Sequence, residues 1–194
     1  SLSNSTNLKS FKFIWPAPIL FGEGEFWSIG YYNKLILPLK IFPIHKKKPV
    51  NIDIEAQIGI CSTMCIPITF HLKSSVSPQN IKRNPEIIAA LVNTPTPQKN
   101  TGFVQISCDF ERVLEVTSIN LEFTLPNSQS PRIIVIDYKG SDHQTSFIDV
   151  LEIEKKLGKF GAAGKLKKTE DTIINMLYID ATQAIELEPC RHKF

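Results

Sequence analysis

The chain has 194 residues, 42% of them hydrophobic, which is enough for a buried core and excludes a disordered polymer. A net charge of +3 is too small to argue for nucleic acid. No stretch approaches the roughly 20 apolar residues that span a bilayer, and residues 1–6 lack the basic region and apolar core of a secretory signal. The first residue is Ser1 rather than Met, so the expectation is a processed or excised piece.

Thirteen prolines and short apolar runs between turn residues predict a mainly β chain with little helix, closer to a β-sandwich than to a helical bundle. Residues 11–14 form a short apolar run. Residues 34–41 alternate around Pro38, as an edge strand or a bulge does. His45-Lys46-Lys47-Lys48, before Pro49, reads as a solvated loop between strands; an address signal or an anion patch is the other use of such a run. Residues 50–60 alternate cleanly. Val50, Ile52, Ile54, Ala56, Ile58 and Ile60 share one face, and Asn51, Asp53, Glu55 and Gln57 the other, which predicts a half-buried strand. A second strand follows over 66–73.

Asn84 can cap a short helix, with Pro85 in its first turn, Glu86 at its positive end and 87–92 as its apolar face. Residues 93–100 hold alternating prolines and read as a linker. Strands are predicted over 102–110, 118–125 and 132–138, with a turn-rich break at 125–131. Residues 147–157 are ambiguous between strand and helix. Residues 158–164 read as a flexible glycine-rich loop, and 172–179 as a final apolar strand. Gly158, Gly161 and Gly164 do not make a phosphate-binding fingerprint and count as turn residues. The division is 1–93, the β-sandwich part with a close cysteine pair; 94–100, the linker; and 101–194, a second, smaller β-rich domain.

Chemistry concentrates at Cys61-Ser62-Thr63-Met64-Cys65-Ile66-Pro67. Three intervening residues let the chain bend back and bring two sulfurs to bonding distance. Three uses stay open. In an exchanging pair, one thiolate attacks and the other resolves. A static disulfide would pin a turn. A metal site would use Cys61, Met64 and Cys65, soft donors suited to Cu(I), with no histidine nearby and too few ligands for zinc. No helix starts after Cys65, so the helix-dipole route to a low thiolate pKa is missing. Cys108 reads as a small buried hydrophobe and Cys190, near the end, as exposed. Four cysteines permit two disulfides, with connectivity open. His45, His71, His143 and His192 have no partner at a diagnostic spacing, and Asp142-His143 is a loop pair without a motif.

Trp15-Pro16-Ala17-Pro18, Gly30-Tyr31, Leu37-Pro38 and Cys61-x-x-x-Cys65-Ile66-Pro67 follow one another in an order and spacing that resembles the periplasmic domain of the DsbD-like disulfide reductases. The ScsB branch, the copper-sensitivity suppressor type, is the closest resemblance, and Ala184-Ile185-Glu186 resembles the end of that region. The resemblance implies an immunoglobulin-like β-sandwich with Cys61 and Cys65 as the exchanging pair and Pro67 shaping the turn behind them. It implies a protein-disulfide reductase component without a cofactor, or alternatively a Cu(I)-binding copper-tolerance module. A non-catalytic sandwich with a structural disulfide is the remaining alternative. The implied partners are periplasmic thioredoxin-fold proteins and the membrane electron-transfer domain of the same system, with no nucleic acid. The implied location is the periplasm, alone or within a membrane-anchored protein. Family members usually carry further strands before Trp-Pro-Ala-Pro, so the expectation is that these are missing here. A sandwich short of strands would expose an edge and favour association.

Overall fold

The structure is a computed structural model and describes residues 2, 4–23, 26–62, 64–79, 82–113, 116–125, 133–139, 146–156, 159–166, 173–180 and 182–191. Gly158, His143 with Asp142, His192 and most of the break expected at 125–131 lie outside these residues.

In chain order the strands are Leu8–Phe13 (β1), Ile19–Glu23 (β2), Phe26–Gly30 (β3), Leu39–Pro43 (β4), Val50–Cys61 (β5) and Cys65–Val76 (β6), followed by the helix Pro85–Val92 (α1). Then come Thr96–Pro97 (β7), Val104–Val113 (β8), Val116–Thr124 (β9), Ile133–Lys139 (β10), Ser146–Lys156 (β11), Lys159–Leu166 (β12), Ile173–Ile179 (β13) and Ala184–Arg191 (β14). The chain is mainly β with little helix, as its pattern predicts, and this is consistent with immunoglobulin-like β packing. It divides into two packed units. One holds Ser1–Trp15 and Ile36–Val92, the other Pro16–Leu35 and Asn93–Phe194.

In the first unit β1 pairs antiparallel with β4, and β5 with β6. Pro38 is buried just before β4, and its carbonyl accepts the N–H of Ile14 at 2.9 Å. The strand expected over 34–41 therefore starts only after the proline. Asn7 adopts φ 58°, a left-handed value that asparagine tolerates. Its Nδ2 lies 3.0–3.1 Å from the carbonyls of His45, Lys48 and Pro49, and its Oδ1 accepts the N–H of His45 at 2.8 Å. One side chain thus organises the exposed basic turn between β4 and β5. Asn84 caps α1 as expected, its Oδ1 accepting from the N–H of Glu86 at 2.9 Å. Of the expected apolar face, only Ala90 is buried; Ile87, Ile88, Leu91 and Val92 are exposed.

In the second unit β2 and β3 form a hairpin. The remaining strands form one sheet ordered β7-β14-β13-β10-β11-β12-β9-β8, antiparallel except for β7 against β14. Residues 93–100 supply β7 and a 3₁₀ turn, Gln98–Asn100, at the outer edge of β14. A proline suits such an edge because its missing N–H is not asked for. Inward residues alternate along the strands: Ile119, Leu121 and Phe123 on β9, Ile134 and Ile136 on β10. Phe103, Phe123 and Phe160 stack with centroids 4.7 and 5.4 Å apart, and Tyr178 tilts against the first two.

Three readings change. The segment left open between strand and helix, 147–157, is strand as far as residue 156, and residue 157 lies outside the described residues. Residues 159–166 are not a loop but strand β12, between β11 and β9. The glycine at 164 serves close packing there: a Cβ would come 2.5 Å from Cδ2 of the buried Leu151. The strand at 173–179 is followed by another, β14. Its alternation is hidden by Glu188-Pro189, which oppose the single residue Asn175 as a bulge between the pairs Met176–Leu187 and Ile174–Cys190. The bulge shifts the pattern by one, so Cys190 faces inward and is 1% exposed, not exposed as expected.

The β13–β14 turn is held by buried Asp180. Its carboxylate accepts from the N–H and O–H of Thr182 at 2.8 and 2.7 Å, from both nitrogens of Gln183, and from the Tyr178 hydroxyl at 3.1 Å. Burial pushes its pKa up, but the bonds from Thr182, Gln183 and Tyr178 outweigh that and hold it below the ordinary carboxylate value.

Gly164→Ala should lower stability by about 1–3 kcal/mol through overpacking. Gly161→Ala, whose added methyl meets nothing within 4 Å, should stay within about 0.5 kcal/mol; urea midpoints compare the two. Because Asp180 has a lowered folded pKa, its contribution is present above the unfolded value of about 3.9 and is lost as pH falls through the folded one. Asp180→Asn should therefore be less stable at neutral pH and show a shallower acid-side loss in a stability–pH series.

Candidate functional site

β5 and β6 form a two-stranded hairpin of 12 residues per strand, about 40 Å long by strand rise. Its base is tied down by residues 5–7. Thr6 bridges Asn51, and Ser5 Oγ accepts the N–H of Asp53 at 3.0 Å. Cross-strand partners share a face. One face carries Ile54/Leu72, Ala56/Phe70, Ile58/Ile68 and Ile60/Ile66. The other carries Asp53/Lys73, Glu55/His71, Gln57/Thr69, Gly59/Pro67 and Cys61/Cys65. Lys73 and Asp53 pair at 3.2 Å, with Lys73 largely exposed, so the ion pair adds little. The predicted two-faced pattern is present, but only Val50 and Ile52 at the base are buried. Ile60 and Ile66 near the tip are 53% and 54% exposed. Alternation reveals which residues share a face, not what covers them.

Cys61 and Cys65 sit opposite each other at the last rung and are disulfide-bonded, with Cα atoms 4.0 Å apart. Both are exposed. The N–H of Ser62 donates to the carbonyl of Met64 at 3.1 Å, and Met64 is 69% exposed beside the bond. The nearest charged residue of the hairpin is Glu55, on the rung it shares with His71, about 20 Å back along the strands. No cation of the hairpin therefore stands by the sulfurs to stabilise a thiolate.

Pro67 lies within β6, opposite Gly59, rather than in the turn. The short Cα separation marks Cys61/Cys65 as a narrow, non-hydrogen-bonded pair. Two residues on, Gly59/Pro67 is narrow as well, so the backbone nitrogen of residue 67 points away from β5. The proline costs the β5–β6 ladder nothing and removes a donor from the outer edge next to the disulfide.

Cys108 and Cys190 form a second disulfide, so Cys108 is not a lone hydrophobe. His45 lies in the exposed basic turn and His71 on the polar face of the hairpin; the two are not brought to the cysteines. Among the described residues no group of three or more His, Cys, Asp or Glu is placed to hold a metal ion. Cys61, Met64 and Cys65 are adjacent, but as a disulfide the pair offers no thiolate, so a Cu(I) site fits only the reduced chain. The other motif fragments also meet: the hydroxyl of Tyr31 donates to the carbonyl of buried Pro16 at 2.9 Å, and Pro38 receives Ile14 beside Trp15.

Residues 1–76 match the family model described as thiol:disulfide interchange protein DsbD, N-terminal. Those residues are DsbD-like. The DsbD-like segment ends at Val76, the last residue of β6, and so contains the whole hairpin and its disulfide. Cys108 and Cys190 lie beyond it. No curated protein and no solved structure matches the chain. Among the described residues no helix is long and apolar enough to cross a membrane.

Pro67→Ala restores an outward N–H on the edge of β6. It should leave the Cys61–Cys65 bond intact and raise self-association at high concentration, read by light scattering; an unchanged monomer would argue against the edge-blocking role.

Proposed function

We propose that Cys61 and Cys65 are an exchanging dithiol–disulfide pair that relays electrons to thioredoxin-fold partners in the periplasm. The observation that carries this is a disulfide on the exposed tip of a hairpin that lies wholly inside the DsbD-like segment. In the reduced chain, one cysteine thiolate attacks a sulfur of the partner's disulfide. A mixed disulfide forms and one partner thiol leaves. The second cysteine then attacks the first, closing Cys61–Cys65 and releasing the other partner thiol. Two electrons and two protons pass from the pair to the partner. Reduction for the next cycle comes from the membrane electron-transfer domain of the same system, through its thioredoxin-like domain.

The surroundings suit this use. The register holds the sulfurs opposite each other, so ring closure needs little rearrangement. The tip carries no charged residue, and exposed Met64 precedes Cys65 directly in the chain, while exposed Ile60 and Ile66 lie on the face opposite the sulfurs. The periplasmic setting rests on the DsbD resemblance.

In graded glutathione buffers, with mass spectrometry locating the bond, Cys61–Cys65 should open and close reversibly at a potential of roughly −120 to −270 mV. Of Cys61→Ser and Cys65→Ser, the variant that keeps the attacking cysteine should trap a mixed disulfide with a thioredoxin-fold partner, and the double variant none. A bond that resists reduction below about −300 mV would make it structural. Thiols that never pair would turn the reading to Cu(I) on Cys61, Met64 and Cys65.

A further inference from the structure

We propose that Cys108–Cys190 is the seam of the second unit, a shielded structural disulfide that closes its antiparallel sheet and stays oxidised while Cys61–Cys65 exchanges. The contrast with Cys61–Cys65 rests on the function proposed above; the seam itself does not.

The antiparallel ladder runs from β14 through β13, β10, β11, β12 and β9 to β8. Among the described pairings none joins β8 to β14 by backbone, yet the disulfide links these two strands, with Cα atoms 5.9 Å apart. A covalent bond stands where a further ladder would close the sheet. The outer edge of β14 is covered over part of its length. Thr96–Pro97 pair with Ile185–Glu186, and the side-chain Oε1 of Gln98 accepts the N–H of Glu188 at 2.8 Å; further along, inward-facing Cys190 bonds to β8. An open edge would invite pairing with other chains.

Both strands are bulged to make this bond. In β8 an extra residue between Gln105 and Ser107 shifts the register, so that Gln105 opposes inward Phe123 and Cys108 opposes inward Leu121. In β14 the bulge at Glu188-Pro189 brings Leu187 and Cys190 to the same inner face. Each strand thus places two inward residues three apart instead of two, and each bulge puts a cysteine inside. Cys190 is 1% exposed, with its Sγ 3.6 Å from Sδ of Met176, and Cys108 packs against the same core. An attacking thiolate needs a clear approach to one sulfur; the core denies it at Cys190, and Cys108 is partly buried against the same core. The cysteines are 82 residues apart, so the bond also restricts the unfolded chain strongly.

The test uses the full chain in glutathione buffers without denaturant, with acid quenching, alkylation and peptide mapping. Alkylation should appear at Cys61 and Cys65, and at Cys108 and Cys190 at least about 100-fold more slowly, because it waits on opening of the core. Native reduction of Cys108–Cys190 at the rate of Cys61–Cys65 would overturn the seam. A Cys61–Cys65 bond that never reduces would instead defeat the exchange reading, and slow labelling of Cys108 and Cys190 relative to the same chain in denaturant would still support the seam. As a second measurement, Cys108→Ala/Cys190→Ala should lower the thermal midpoint of the second unit, followed by the near-ultraviolet signal of Tyr178 and its neighbours. An unchanged midpoint would overturn the proposal.

Discussion

The cross-strand register of β5 and β6 is the constraint on which the candidate site depends. Twelve successive pairs, from Val50/Val76 to Cys61/Cys65, bring two sulfurs together at the end of a long ribbon. A slip of one residue would exchange the faces, turning isoleucines to the polar side and separating the cysteines. The apolar face specifies that register where it is least buried, because Ile58/Ile68 and Ile60/Ile66 gain from facing each other. The anchoring comes from the base, where Ser5 and Thr6 hold β5. The result is a long arm with an exposed disulfide at its end.

The same sheet physics serves opposite ends in the two units. At the hairpin tip regular alternation carries the sulfurs to an exposed rung. In the second unit two bulges break the alternation and turn the cysteines inward, Cys190 against Met176 and Cys108 against the same core. Exposure, not spacing alone, separates the two disulfides: Cys61 and Cys65 are both exposed, whereas Cys190 is buried and Cys108 partly buried. Edge protection follows a similar split. Pro67 blunts β6 by deleting a donor, while β7 and Gln98 cover part of the edge of β14.

Much of the hairpin was legible in the residues. Period-two alternation over 50–60, a close cysteine pair and a returning apolar run are local signals, and a hairpin is a local structure. The helix cap at Asn84 was legible for the same reason. Burial was not: the isoleucines of β5 read as half-buried, because a pattern names a face without naming its cover. Gly164 was misread because a glycine required by contact with Leu151 looks, in sequence, like a glycine required by a turn. Cys190 was misread because the bulge that turns it inward depends on the register of β13.

By itself, then, the sequence determined the β character, the two-faced hairpin, the helix cap and the cysteine pair that carries the DsbD-like resemblance. These depend on neighbours within a few residues, whose geometry the backbone period dictates. Only the tertiary structure decided that Cys108 bonds to Cys190, that 159–166 is an inner strand, and that Asp180 is a buried, fully bonded turn residue. Those outcomes depend on which distant strands become neighbours, and packing across a sheet leaves no fixed spacing in the chain.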